Sequence, residues 1–207
     1  MAITKYNVEQ GSDEWFNLKL AVISGSMFDN LMKGKSTAAY STLIYEVAYQ
    51  IISGNRTENP ITQPMRDGSE NEHRVIKVLE DVLDIETEEV GFVTNDYIFN
   101  DYIGVSPDRY VKGKNVIIEA KYPKPTTQLK YIDKDVMPKE YIHQVQGQLM
   151  VTGAEYCWFI SWTDDLNPFI IKIMPDVEIH GKMFKRMKEA IADVLNVVDK
   201  HNEIKLK

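Results

Sequence analysis

The chain has 207 residues, a formal net charge of −7, and apolar and charged fractions of 43 % and 27 %. That composition belongs to an ordinary folded protein, excluding disordered and fibrous classes, and the length is enough to bury a core without covalent staples. The acidic balance weighs against a protein that coats nucleic acid non-specifically, while leaving room for local contacts and for carboxylates gathered around metal ions.

The amino-terminal stretch MAITKYNVEQGSDEW has neither a long apolar core nor a cleavage signal, and no stretch reaches the apolar length of a membrane span. Soluble, cytoplasmic residence is the expectation. The one cysteine, Cys157, has no partner for a disulfide; within Tyr156-Cys157-Trp158-Phe159-Ile160 it reads as a core thiol. With no repeat and no low-complexity linker, a single domain over 1–207 is expected.

Residues Ser12–Leu20 read as a helix capped by Ser12 or Asp13, with Trp15 as a core anchor. A short helix is expected from Ser24–Ser26 with Met27, Phe28 and Leu31 on its apolar face, and MKGKST as a loop after it. Leu43–Ile52 reads as a helix ending at Ser53-Gly54-Asn55, and Asn59 to Pro64 as a connector. From Ser69 to Leu83 the positions Val75, Ile76, Leu79, Val82 and Leu83 form one helical face.

Glu89 to Lys121 breaks into short β-prone runs at Asn95-Asp96, Asn100-Asp101 and Lys112-Gly113-Lys114, predicting antiparallel strands joined by tight turns. Lys139–Val151 returns to helical spacing, with Ile142, Val145, Leu149 and Met150 inward. Strands at Tyr156–Thr163 and Phe169–Met174 and a long helix over Glu178–His201 complete the chain. The order predicts an α/β protein of the α+β type, a mixed central sheet flanked by helices.

Chemistry concentrates at Ser106-Pro107-Asp108 and, eleven residues after Asp108, Glu119-Ala120-Lys121. In the run NVIIEAK the two-residue period puts Glu119 and Lys121 on one face and Val116, Ile118 and Ala120 on the other. A hairpin through Lys112-Gly113-Lys114 returns Asp108 beside Glu119. Two adjacent carboxylates require a cation between them, and hard oxygen ligands favour Mg²⁺, with Mn²⁺ as a substitute. Such a site suits phosphodiester hydrolysis, with Lys121 orienting a water or compensating charge.

Pro107-Asp108 and Glu119-Ala120-Lys121 resemble the two motif halves of the PD-(D/E)xK nuclease superfamily, whose fold is the restriction-endonuclease-like mixed sheet flanked by helices. Three further blocks narrow the resemblance to the lambda-exonuclease-like, or YqaJ-like, viral recombinase nucleases. They are Glu14 to Ser26, Gly68-Ser69-Glu70-Asn71-Glu72, and Tyr141 to Val151 with its Tyr-x-x-Gln-x-Gln order. The resemblance implies that Asp108, Glu119 and the carbonyl of Ala120 bind metal, that Lys121 is the catalytic lysine, and that Glu72 serves a second ion or a bridging water. Glu70 competes with Glu72, and only the spacing from Gly68 favours Glu72. By its own position, without the resemblance, Glu72 reads rather as a solvated first-turn carboxylate favoured by the helix dipole.

Gln144 and Gln146 lie about 200° apart on a helix, so one site takes only one of them. The pattern selects Gln144, with Tyr141 on nearly the same face, leaving Gln146 and Gln148 to solvent or packing. His143 reads as an ordinary helix residue. Lys19, Ser26 and Ser106 match the residues that grip a terminal phosphate. Lysine stands where the family pattern has arginine, keeping the charge and losing the bidentate geometry. Lys33 and Lys35, Lys112 and Lys114, and Lys124 and Lys130 offer a basic strip for sequence-independent backbone contacts.

The implied activity is 5′→3′ digestion of linear double-stranded DNA, leaving 3′ single strands for recombination in a phage- or prophage-carrying bacterial host. The implied partners are DNA ends, two further copies in a ring-shaped homotrimer, and a single-strand annealing protein. The alternatives are an endonuclease or nickase on the same fold, or a decayed DNA-binding subunit. An iron–sulfur nuclease is excluded by the single cysteine.

Overall fold

The computed structural model describes residues 2–57 and 63–203, the side chains of 63–65 and 67–69 excepted. Strand β1 (Ile3–Tyr6) is followed by α1 (Asp13–Leu18), β2 (Ile23–Ser24), a 3₁₀ turn (Gly25–Met27), α2 (Phe28–Met32), α3 (Ala38–Ser53) and α4 (Gln63–Leu83). Then come β3 (Thr87–Glu88), β4 (Phe92–Asn95), β5 (Ile103–Gly104), β6 (Arg109–Val111) and β7 (Val116–Lys121). Helices α5 (Pro125–Lys134) and α6 (Lys139–Thr152), strands β8 (Tyr156–Ser161) and β9 (Phe169–Ile173), and α7 (Val177–Asn202) complete the chain.

The principal sheet runs β3-β6-β7-β8-β9, with β7 and β8 parallel and the other pairs antiparallel. This is the expected mixed sheet, but the segment from Glu89 to Lys121 does not form one antiparallel meander. Instead β4 pairs with β1, and β5 pairs in parallel with β2. A single bridge, Val93 to Val105, links β4 to the end of β5. The consequence is functional: Ser24, near the end of the Glu14–Ser26 block, lies in register with Gly104, four residues ahead of Asp108.

Strand β7 divides the core by its alternation. Ile117 joins a large cluster with residues of α2, α3, α6 and α7 on one face, while Val116, Ile118 and Ala120 pack on Val75, Ile76 and Leu79 of α4 on the other. Val82, expected on that inward face, is 57 % exposed, while its neighbour Leu83 still packs against the cluster. The turn between β6 and β7 is closed by Lys114 N–H on the Val111 carbonyl (3.0 Å), with Gly113 at φ +71°, a conformation that costs other residues.

Helix α6 is enclosed on several sides by α2, β4, β8 and α7, and Val145 through Leu149 are all buried. Close approach to α2 depends on Gly147, where a Cβ would lie 2.1 Å from the Phe28 ring. Gln146 packs as expected, its side chain bonded to the Met174 carbonyl and the Asp176 N–H. Cys157 is buried, the thiol expected of the core. Among the described residues no helix is long and apolar enough to cross a membrane.

Helix α4 begins at Gln63, inside the expected connector; residues 59–62 of that connector lie outside the described residues. Glu72 is therefore well inside the helix, not in its first turn, and the dipole account of it does not hold.

Candidate active site

Glu119 is the anchor. Its side chain is fully buried on β7, where an ionised carboxylate is tolerated only with donors around it. Gln144 Nε2 donates to Oε1 (2.6 Å), Gln148 Nε2 donates to Oε2 (2.7 Å), and Lys121 Nζ forms an ion pair with Oε1. The last contact is the same-face pair that strand alternation predicts.

Asp108 stands directly beside it. Its N–H donates to the Ile118 carbonyl (3.1 Å), and its Oδ2 accepts from the Ala120 N–H (2.7 Å). Burial, then the charge of Glu119, raises the Asp108 carboxyl well above the usual range. The Lys121 ammonium is pushed up despite its burial, because Glu119 and Asp108 both attract it. Lys121 Nζ also lies 5.1 Å from the Tyr141 ring centroid, so Tyr141 borders the site.

Glu72 approaches from α4. Arg109 Nη1 donates to it (3.2 Å) and to the Asp108 carbonyl (2.6 Å), while Nη2 pairs with Glu89 (2.9 Å). Burial raises the Glu72 carboxyl, Arg109 opposes the rise, and the charge of Glu119 adds to it. Glu72 is thus within electrostatic reach of the Asp108–Glu119 pair.

Two residues missing from the expected set belong here. Gln148, assigned to solvent or packing, is buried on Glu119. It lies one helical turn from Gln144, so the i, i+4 spacing of the two glutamines was the available signal. Arg109, which ties Glu72 to Asp108, follows the motif aspartate directly. Replacing Gln148 with leucine strips a charge-assisted bond from a buried carboxylate, and a loss of about 1.5–3 kcal/mol of stability is expected. Urea unfolding checks this: an unchanged midpoint would show that Gln148 does not support Glu119.

A cleft of about 690 Å³ reaches toward the pair through Glu72 and Arg109. Its lining includes Glu72 and Arg109 at one part and Trp15, Lys19, Ser24 and Ser26 at another. Trp15 is half-buried in this wall and not a core anchor, because its Nε1 reaches out to the Gly91 carbonyl (2.8 Å) and Ser106 Oγ (2.9 Å). Lys19 Nζ sits 3.7 Å from the Trp15 ring centroid. Burial, and secondarily the charge of Arg56, lowers its pKa to about 8.

Ser106 donates to the Gly91 carbonyl (2.7 Å) and accepts from Trp15, so it fixes the indole; it is not among the residues lining the cleft. Lys33 and Lys35 are also not brought to it. Their loop folds toward acidic neighbours, Lys33 pairing with Asp29 (3.2 Å) and Lys35 with Asp193 (2.6 Å). Lys112 pairs with Glu86 (2.8 Å). Lys124 is exposed at the N-cap of α5, three residues beyond Lys121. His143 Nδ1 lies 3.1 Å from Asp29, a surface helix contact.

Among the described residues no three acidic, histidine or cysteine side chains form a cation cage unaided. The donors nevertheless suit a hard divalent ion. Asp108 and Glu119 are adjacent oxygen donors, mutually repelling and desolvated, and the protein supplies a cation of its own, Lys121, against both.

The fold is shared with solved exonucleases. The alkaline exonuclease LHK-Exo from Laribacter hongkongensis is 24 % identical, with a TM-score of 0.83 over 92 % of this chain and 96 % of that one. Its complex with dAMP aligns with a TM-score of 0.84 at the same identity and coverage. A phage-related exonuclease from Haemophilus somnus 129PT is 14 % identical, with a TM-score of 0.64 over 87 % and 96 %. No curated protein sequence matches the chain. Residues 14–155 match the model of the YqaJ-like viral recombinase domain, well over half of the chain and including Lys19, Glu72, Asp108, Glu119 and Lys121, so the protein belongs to the YqaJ-like viral recombinase family.

Proposed function

We propose that the protein is a metal-dependent 5′→3′ exonuclease acting on the ends of linear double-stranded DNA. The observation that carries this reading is the desolvated Asp108–Glu119 pair, held beside Lys121 and bordered by Glu72 and Arg109, which also line a cleft with cations in its wall. Asp108, Glu119 and the Ala120 carbonyl are the residues that would hold Mg²⁺, or Mn²⁺ in its place, with Glu72 serving a second ion. When bound, the metal supplies charge neutralisation on the phosphate and a more acidic water.

The side chains divide the remaining work. Gln144 and Gln148 fix both oxygens of Glu119, so the ligand geometry is set before substrate arrives. Lys121 places a full positive charge where negative charge grows on the scissile phosphate. Arg109 holds Glu72 against the site. Lys19 and Ser26, in the cleft wall, receive the strand end, and Lys124 contacts the backbone beyond the motif strand.

The support for a nuclease includes kinship: relatives with this fold are exonucleases, and one was solved with dAMP. The deciding experiment is digestion of linear duplex labelled at either end and bearing 5′-phosphate or 5′-hydroxyl, beside covalently closed circular duplex. Mg²⁺-dependent release from 5′ ends, with the circle intact, is expected. Cleavage of the circle would make it an endonuclease. By family analogy the active form is a homotrimeric ring in the host cytoplasm, delivering 3′ strands to an annealing protein; a monomer in light scattering at assay concentration would end the ring proposal.

Lys19 adds a pH signature. It faces Arg56, with Glu9, Glu72, Glu89 and Arg109 elsewhere in the cleft lining. With its pKa lowered to about 8, the free protein loses this charge as pH rises through that value. Preference for 5′-phosphate over 5′-hydroxyl ends is expected to weaken from pH 7 to pH 9. Lys19→Arg, charged throughout that range, is expected to flatten the profile.

A further inference from the structure

We infer that Arg56 is a second phosphate-binding side chain, forming with Lys19 a two-cation seat for the terminal phosphate of a DNA strand. The inference rests on the cleft being the entry of an end-directed nuclease, and it assigns a residue outside the family's phosphate-grip block. Arg56 is exposed on the segment just after α3, and it lines the same cleft as Lys19, Ser24 and Ser26.

Two adjacent aromatic rings hold the two cations. Trp15 and Phe16 lie edge to face with centroids 4.9 Å apart. Lys19 Nζ rests 3.7 Å from the Trp15 centroid and Arg56 Cζ 3.4 Å from the Phe16 centroid. Cation–π contact positions a charge without neutralising it. Neither cation forms an ion pair among the described residues. The carboxylates Glu72 and Glu89 of the same cleft are taken by Arg109.

Keeping two like charges together in a partly desolvated wall is unfavourable, and the lowered pKa of Lys19 is the sign of it. Side chains that merely cover apolar rings gain nothing from being neighbours of like charge. An anion between them relieves both the repulsion and the desolvation. A terminal phosphate, carrying roughly −1.5 to −2, matches two cations better than an internal phosphodiester with its single charge. The planar guanidinium also supplies the bidentate donor geometry that lysine lacks at position 19.

The test measures binding of labelled duplexes bearing 5′-phosphate or 5′-hydroxyl, by fluorescence anisotropy in EDTA, for wild type, Arg56→Gln and Arg56→Lys. The wild type is expected to favour the phosphorylated end at least about tenfold. Arg56→Gln should reduce the ratio to about threefold or less and lower the salt slope by about one. Arg56→Lys should restore the salt slope and only part of the ratio. A wild-type ratio retained by Arg56→Gln overturns the inference, and so does a wild type indifferent to the phosphate. Metal-dependent hydrolysis is scored separately in Mg²⁺. Hydrolysis without any phosphate preference removes the seat and leaves the nuclease, whereas a phosphate preference lost in Arg56→Gln but no hydrolysis removes the nuclease and leaves the seat.

Discussion

Asp108→Asn is expected to lower cleavage of linear duplex by about 10³-fold or more while making the metal-free protein more stable. The two effects have one cause. Asp108 is held beside Glu119 in surroundings that raise its carboxyl well above the usual range, so ionising it costs folding free energy. A group whose folded pKa is raised stabilises below its unfolded value and loses that contribution as pH rises through the folded one. Ionisation of Asp108 therefore opposes folding. Asparagine removes that charge and keeps an oxygen to accept the Ala120 N–H, so the fold gains and the proposed metal site loses a ligand.

Calorimetry with and without Mg²⁺ separates this account from a general folding defect. A ligand at about 100 times its dissociation constant adds about 2.7 kcal/mol, and a domain of this size shifts by roughly 2–4 °C per kcal/mol. A rise of about 5–10 °C is expected for the wild type in saturating Mg²⁺, and almost none for Asp108→Asn. Equal rises in both would mean that the ion binds elsewhere. An inactive variant that melts below the metal-free wild type would mean that Asp108 is structural.

The motif strand was the most readable part of the molecule. In NVIIEAK the side-chain period is two and both faces are buried, so alternation alone separated Ile117 and Glu119 from Val116, Ile118 and Ala120. The hairpin turn carrying Gly113 then fixed the register that returns Asp108 to Ala120. Prolines defeated the reading elsewhere. Pro64 and Pro125 lie in the first turns of α4 and α5, where a missing N–H costs nothing, so a connector was expected over the start of α4 and α5 was not expected at all.

Other losses have a different origin. Gln148 and Trp15 were misplaced because a residue's surroundings come from elements distant in sequence. Helix α6 is enclosed from several directions, so a polar residue on any of its faces is buried and needs a partner. Trp15 was drawn into the cleft wall by hydrogen bonds to Gly91 and Ser106, more than seventy residues away. The i, i+4 spacing from Gln144 hinted at the first; nothing in the spacing of Trp15 indicates the second. The pairing of Lys33 and Lys35 with Asp29 and Asp193 illustrates the same limit: a basic loop reads as a DNA contact until its acidic neighbours are known.

Lys121→Met separates the pairing role of the lysine from its proposed catalytic one. The Lys121 side chain is 23 % exposed and that of Glu119 fully buried, so removing the ammonium leaves a buried carboxylate short of its cation. Breaking such a pair costs about 3–5 kcal/mol, or roughly 10 °C in melting temperature without metal. Glu119 retains Gln144 and Gln148, but two amide dipoles do not replace a charge. Mg²⁺ should then stabilise the variant more than the wild type, because the ion has no ammonium competing for Glu119. Cleavage should still fall by about 10²–10³ at saturating Mg²⁺, the scale of losing one charge-stabilising donor in a transition state. Lys121→Arg provides the decisive comparison. It keeps the charge beside Glu119 and should recover most of the stability, while its planar fork cannot place a compact ammonium at the same point. If Lys121→Arg recovered cleavage in step with stability, the lysine would be only a counter-ion for Glu119; recovery of stability alone assigns it a part in the hydrolysis.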